Sequence, residues 1–138
     1  QPARESSVET AICDSVRSLC ETAHADKIVT VTRRGRTAKM ISRLRLQQPI
    51  LALTSKESIF RELHLYFGVL PVFFENLPAS LRTVEAGMYL FHHGYLSETD
   101  RILFVSGEYN PATSVTNTIQ ILSMKDLIDY SAKQGISY

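Results

Sequence analysis

Two patterns of apolar residues alternate along this chain, and their alternation limits the folds open to it. Short runs such as Ile28-Val29-Thr30-Val31 are rich in β-branched residues, which is typical of buried strands. Between these runs, apolar residues recur every three or four positions, as on one face of a helix. Strands are predicted at 27–32, 50–53, 69–74, 101–105 and 116–122, and helices at 7–23, 37–44, 54–66 and 81–93, with a short one within 125–138.

Strands that alternate with helices predict a mostly parallel sheet covered by helices on both faces. Only a loop separates the fourth and fifth strands, so that pair is predicted to be antiparallel. Pro71 in the third strand predicts a sheet edge or a bulge, because proline cannot donate to a strand ladder. Two helices are predicted to begin at capping boxes, formed by Ser6 with Glu9 and by Thr54 with Glu57.

The length of 138 residues suits one domain, and no internal boundary is visible, so 1–138 is taken as a single domain with a tail at 125–138. No apolar run is long enough to cross a bilayer, and the start has no signal-peptide pattern. We therefore predict no membrane partner and a cytoplasmic location. Because the first residue is Gln1 and not Met, the sequence is expected to begin inside a longer product.

The two cysteines, Cys13 and Cys20, are seven residues apart on one predicted helix. This spacing favours two buried, reduced thiols over a disulfide and fits a reducing compartment. No cysteine or histidine grouping has the spacing of metal ligands, so no metal site is predicted.

Charge is unevenly distributed, although the net charge is only +1. Residues 27–56 contain eight basic and no acidic side chains, whereas the remainder carries a net charge of −7. Such segregation predicts an anionic partner near the basic stretch. Nucleic acid is a weaker alternative, because the stretch lacks stacking aromatic residues and fits no known nucleic-acid-binding module.

The polar turn after the first strand is the best candidate binding site. Its residues combine hydroxyl groups, guanidinium groups and a glycine, in the order Thr32, Arg33, Arg34, Gly35, Arg36 and Thr37. The unpaired amides of a helix start and the arginine forks both favour a phosphate group. The alternative, a solvated basic turn with a threonine cap, is equally compatible with these residues.

Other polar residues give no catalytic constellation. His64, His92 and His93 have no obvious carboxylate or cysteine partner and are predicted to have structural or surface roles. There is no nucleophile elbow and no convincing nucleophile–base pair. No catalytic residue is therefore predicted, and the chain alone is not expected to be an enzyme.

Several motifs, in order and in register, resemble the C-terminal domain of pyruvate kinases. The resemblance covers about residues 7–124 and is strongest at His64–Val72, where the family typically reads His-Leu-Tyr-Arg-Gly-Val-x-Pro. It is carried by the segments 25–38, 48–54, 64–72, 100–107 and 116–118. The resemblance implies a three-layer α/β/α domain with a five-stranded, mostly parallel sheet whose last strand is antiparallel.

The resemblance also implies a function. In the family this domain binds an allosteric effector, often fructose 1,6-bisphosphate or another sugar phosphate, and helps to form a homotetramer through its first helix and last strand. The parent enzyme would transfer phosphate from phosphoenolpyruvate to ADP in glycolysis, with Mg²⁺ and K⁺ bound in a barrel domain. No cofactor is implied for this domain, and the implied partners are the effector, the rest of a pyruvate kinase chain and further copies of it.

The resemblance assigns one effector phosphate to the 32–37 turn and the other to Arg82, which follows Leu81 as in several eukaryotic members. A loop that closes over the effector is implied at 107–116; its site residues are Gly107, Glu108, Tyr109, Asn110, Thr113 and Ser114.

Three residues depart from the family pattern. Arg34 stands where Ser or Thr is usual, Phe67 replaces an arginine, and the closing loop has no glycine after Gly107. These departures leave open a different phosphorylated ligand, an assembly domain with a decayed effector site, or a free-standing phosphometabolite-binding protein.

Overall fold

The computed structural model describes residues 2–76, 83–106 and 118–135, with side chains described from Val8 onward. Ten helices and strands follow one another along these residues. They are α1 (Pro2–Thr22), β1 (Lys27–Val31), α2 (Arg36–Ser42), β2 (Ile50–Thr54), α3 (Glu57–Leu63), β3 (Val69–Phe73), α4 (Thr83–His92), β4 (Arg101–Ser106), β5 (Thr118–Ser123) and α5 (Met124–Lys133).

The strands form one sheet in the order β3-β2-β1-β4-β5. The first four strands are parallel, with Ile28 opposite Ile50 in β2 and Leu103 in β4. β4 and β5 are antiparallel, with Leu103 opposite Ile121, which confirms the prediction for this pair. Pro71 lies in β3, an edge strand, as its missing amide hydrogen requires.

Apolar residues cover both faces of the sheet, because successive side chains of a buried strand point in opposite directions. On one face, Val29 belongs to a core formed with residues of α4 and α5, including Leu90 and Met124. On the other face, Ile28 belongs to a core with Val16 of α1 and residues of α2. The sheet therefore lies between two helical layers, and the predicted three-layer α/β/α fold is confirmed.

Both predicted capping boxes are wrong. α1 already begins at Pro2, so Ser6 and Glu9 lie inside the helix and do not cap it. Thr54 is the last residue of β2, and α3 begins at Glu57 after Lys56, with no side-chain cap. At Thr54 the pairing of β2 with β3 extends the strand through the residue that its local sequence favoured as a cap. The short helix predicted in the tail is confirmed as α5, and within the described residues no helix is long and apolar enough to cross a membrane.

Candidate anion-binding site

The chain reverses direction tightly between β1 and α2, and two hydrogen bonds define this 32–37 turn. The backbone N–H of Thr32 donates to the carbonyl oxygen of Leu53 at 2.9 Å, which keeps the chain on the sheet one residue beyond β1. The Thr32 hydroxyl oxygen then accepts a hydrogen bond from the Gly35 N–H at 2.8 Å. Thr32 is buried, and its hydroxyl hydrogen can still donate to a ligand or to backbone.

Gly35 precedes α2 in a conformation that suits glycine. Its φ is +80°, in the left-handed region that residues with a Cβ atom seldom adopt. A Cβ atom there would also lie 3.2 Å from Cδ2 of the buried Leu63. Since glycine has no side chain, no side-chain group caps the start of α2. The first helical amides are therefore not screened by a capping side chain.

The position of the turn in the sheet favours ligand binding. β1 pairs with β2 on one side and with β4 on the other, and all three run in the same direction. From β1 the chain adds β2 and β3 on one side of the sheet and then places β4 on the other side of β1. This change of direction defines a topological switch point between β1 and β4. In open α/β sheets a crevice forms beyond the carboxyl ends of the strands at such a point. The 32–37 turn follows the carboxyl end of β1 and so borders this crevice.

The three arginines of the turn are exposed, whereas Thr37 is buried. The guanidinium group of Arg36 forms an ion pair with the carboxylate of Glu9 in α1. The side chain of Arg36 is 54% exposed and that of Glu9 is 24% exposed, so the carboxylate is the more enclosed partner. The turn therefore carries concentrated positive charge, and part of that charge is already neutralised within the chain.

A fourth cation, Lys39, lies one helical turn beyond Arg36. Its ammonium group is 2.5 Å from Oε1 of Glu62 in α3 and 5.3 Å from the ring centre of Tyr66. The hydrogen bond to Glu62 raises the pKa of Lys39 above its usual value, although partial desolvation opposes this. Lys39 therefore stays charged and links α2 to α3.

Arg82 and all six site residues of the predicted closing loop lie outside the described residues, and their roles stay predictions. The structure brings together the six residues of the 32–37 turn. It also adds Glu9 and Lys39, which sequence reasoning missed. Glu9 was interpreted as part of a capping box, so its pairing with Arg36 was not predicted. Lys39 could have been predicted, because it lies three residues after Arg36 on the same helix.

The remaining polar candidates lie away from the turn. His64 and His93 each place Nδ1 within hydrogen-bonding distance of the carbonyl oxygen four residues earlier, at 2.9 and 2.8 Å, which agrees with structural roles on the surface. Cys13 and Cys20 are free, and burial raises the pKa of both thiols. Among the described residues, no three His, Cys, Asp or Glu side chains are arranged to hold a metal ion.

A separate cleft of about 600 Å³ opens at the amino ends of β1 and β2. It is lined by residues that precede these strands, including Ala25 and Gln48, and by the end of α1. None of the predicted site residues lines it. Its walls carry both signs of charge, from Arg17 and Arg45 and from Glu21 and Asp26, so it has no clear preference for an anion.

These features define a three-layer α/β domain with a basic, glycine-containing turn at its switch point. The family model described as "Pyruvate kinase, alpha/beta domain" matches residues 10–122. The chain belongs to this pyruvate kinase C-terminal domain family.

Its relatives include pyruvate kinases of cyanobacterial, archaeal and bacterial origin. It is 28% identical over 127 residues to pyruvate kinase 2 of Synechocystis, which covers 91% of this chain and 22% of the relative. It is 30% identical over 111 residues to the pyruvate kinase of Thermoplasma acidophilum, covering 80% of this chain and 20% of the relative. It is also 30% identical over 119 residues to the pyruvate kinase of Thermotoga maritima, covering 86% of this chain and 26% of the relative. The chain thus spans about a fifth to a quarter of the length of these relatives.

Proposed function

We propose that this chain is the allosteric, effector-binding domain of a pyruvate kinase, and that a sugar phosphate binds at the 32–37 turn. One observation carries the proposal. Gly35 starts α2 without a side-chain cap, at the carboxyl end of β1 and between arginines on both sides. A phosphate group would accept hydrogen bonds from the amides at the start of α2, which no side chain caps, and from the neighbouring guanidinium groups.

Charge and donor geometry make an anion a better occupant than a neutral molecule. α2 has seven residues, so its dipole is small, and the guanidinium groups supply most of the attraction. A guanidinium fork matches two oxygens of a phosphate. In this proposal Thr32 and Thr37 add hydroxyl donors from the buried side of the turn.

The effector would be fructose 1,6-bisphosphate or another sugar phosphate, with a second phosphate at Arg82 and the segment 107–116 closing over it. The rest of a pyruvate kinase chain would provide the phosphotransferase chemistry, with Mg²⁺ and K⁺ in its barrel domain, in the cytoplasm. Further copies would associate through the β5 edge and α1, where Ile121 and Val8 are 44% and 41% exposed. Exposed apolar residues at a strand edge are suited to such contacts.

A second candidate function is assembly without effector control. The observation that favours it is the ion pair between Arg36 and Glu9, which already occupies one of the predicted phosphate ligands. The bulky Arg34, which stands where the family usually has Ser or Thr, also favours a decayed effector site. This candidate predicts subunit association that is independent of sugar phosphates.

Isothermal titration calorimetry with fructose 1,6-bisphosphate and other sugar phosphates tests the proposal, on the intact oligomer at low salt. We expect saturable binding that the double variant Arg36→Ala, Arg82→Ala removes. The control is Arg17→Ala, Arg43→Ala, which removes the same charge from exposed positions outside the turn and should retain binding. Circular dichroism should be unchanged for both.

Two results would reject the effector site. One is the absence of binding to every sugar phosphate tested, and the other is equal affinity in the Arg36/Arg82 variant and the wild type. Light scattering separates the two candidates, because association that is promoted by the sugar phosphate excludes assembly without effector control.

A further inference from the structure

Two acidic side chains from neighbouring helices hold the cations of α2. Glu9 of α1 pairs with Arg36 at the start of α2, and Glu62 of α3 pairs with Lys39 one turn later. The two pairs differ in their relation to the 32–37 turn. Arg36 is part of the turn, whereas Lys39 lies inside α2, where the Tyr66 ring also holds it.

Glu9 lies in a part of α1 that is weakly anchored. Along one face of α1, at every fourth position, the side chains become progressively buried: Val8 is 41% exposed, Ile12 is partly buried, and Val16 and Cys20 are 0% and 4% exposed. Since local stability follows apolar burial, the segment before Ile12 gains more from its polar contacts than the later turns do. The ion pair between Glu9 and Arg36 is one such contact and joins this segment to α2.

We propose that Glu9 is a built-in competitor of the ligand phosphate for Arg36, so that occupancy of the turn and attachment of the first part of α1 to α2 oppose each other. The inference rests on the proposed function, because it requires a phosphate at the turn. A guanidinium group has several donors, but a carboxylate and a phosphate dianion on the same group repel each other at close range. Arg36 therefore exchanges one anion for the other.

Because of this exchange, ligand binding at the turn also affects Glu9. If the Glu9 carboxylate weakens phosphate binding, a bound phosphate must weaken the attachment of Glu9 by the same factor. Ligand binding thus weakens the attachment of the segment 8–11 of α1 to α2, whereas the buried turns around Val16 stay in place. The Lys39–Glu62 pair is not expected to respond, because Lys39 is not a ligand of the phosphate in this arrangement.

The test compares Glu9→Gln with Asp14→Asn by calorimetry, with fructose 1,6-bisphosphate as the probe and the intact oligomer as the sample. Both variants remove one negative charge from α1, and Asp14 is exposed and outside the pair. We expect Glu9→Gln to tighten binding by about two- to fivefold, the range that a partly exposed ion pair can supply. Asp14→Asn should change the affinity by much less. In an Arg36→Ala background the effect of Glu9→Gln should disappear.

Hydrogen exchange measures the reciprocal effect. Addition of the sugar phosphate should accelerate amide exchange at 8–11 and leave exchange at 16–20 unchanged. If the wild type binds no sugar phosphate, the proposed function fails and this inference fails with it. If the wild type binds but Glu9→Gln weakens binding or matches Asp14→Asn, the turn binds its ligand without competition and only this inference is overturned.

Discussion

The hydroxyl oxygen of Thr32 accepts a hydrogen bond from the backbone N–H of Gly35 at 2.8 Å, and this bond closes the turn on which the proposed site depends. It is buried, so water cannot replace it at low cost. One threonine therefore sets the geometry that brings a glycine and the arginines on either side of it to the carboxyl end of β1.

Thr32→Val should destabilise the fold by about 1 to 3 kcal/mol, because valine keeps the shape but leaves the Gly35 amide without its acceptor. Urea unfolding followed by circular dichroism measures the change. Thr32→Ser keeps the hydroxyl and should recover most of the loss. Equal stability of the valine variant and the wild type would show that the bond does not hold the turn.

Thr30→Val should instead stabilise the fold. Thr30 is fully buried in β1, and its hydroxyl has no hydrogen-bond partner among the described residues. A buried hydroxyl without a partner costs free energy that an isosteric methyl group does not, so the variant should be more stable by about 1 kcal/mol. The same urea experiment checks this prediction, and destabilisation would indicate a buried water or another hidden partner.

Comparison of Gly35→Ala with Gly94→Ala separates the backbone strain that a Cβ atom causes at positive φ from its steric contact with neighbouring side chains. Both glycines have a φ of +80°, but a Cβ atom at Gly94 meets nothing within 4 Å, whereas one at Gly35 lies 3.2 Å from Leu63. Backbone strain alone should cost Gly94→Ala about 1 to 2 kcal/mol. We expect Gly35→Ala to cost about 1 kcal/mol more, because Leu63 is fully buried and must shift. Equal losses in urea unfolding would mean that Leu63 adapts freely.

Asp100 should make stability depend on pH in the acid range. Burial alone would raise the pKa of Asp100, but hydrogen bonds from Lys27 Nζ at 2.7 Å and from the Ser97 N–H at 2.8 Å hold it below its usual value of 3.8. The contribution of a carboxyl group with a lowered pKa is complete above the unfolded-state pKa and is lost as pH falls through the folded-state pKa.

Asp100→Asn should therefore cost about 2 kcal/mol at pH 7, and this deficit should shrink as pH falls below 3.8. Unfolding free energies at pH 7 and in acid measure it. Asp129→Asn, at an exposed position, serves as the control and should change stability by less than about 0.5 kcal/mol. A deficit that stays constant with pH would rule out ionisation of Asp100 as its source.

The fold could be predicted from the sequence because its short apolar runs are suited to buried strands. Ile28 and Val29 must both be buried, which requires helices on both faces, and the structure has them. Helix starts were predicted less well, because a capping pattern is a small local preference. The start of α1 at Pro2 overrides the cap expected at Ser6, and β2 takes in the cap expected at Thr54.

The candidate site was predicted in part. The residues of the turn follow from chemistry that is local in sequence, since Thr32 and Gly35 are three positions apart. Glu9 was not predicted as a partner of Arg36, because 27 residues separate the two and no spacing rule links them. The contact depends on the packing of the first part of α1 beside α2.

The sequence by itself determined the order of helices and strands, the buried sheet, the family and the basic turn after β1, because each depends on residue type and short-range spacing. The tertiary structure decided where α3 begins and which acidic groups reach the cations of α2. It also placed the turn at the switch point between β1 and β4. Those features depend on contacts between segments far apart in the chain, and the free energy of such contacts exceeds the local preferences that a sequence pattern records.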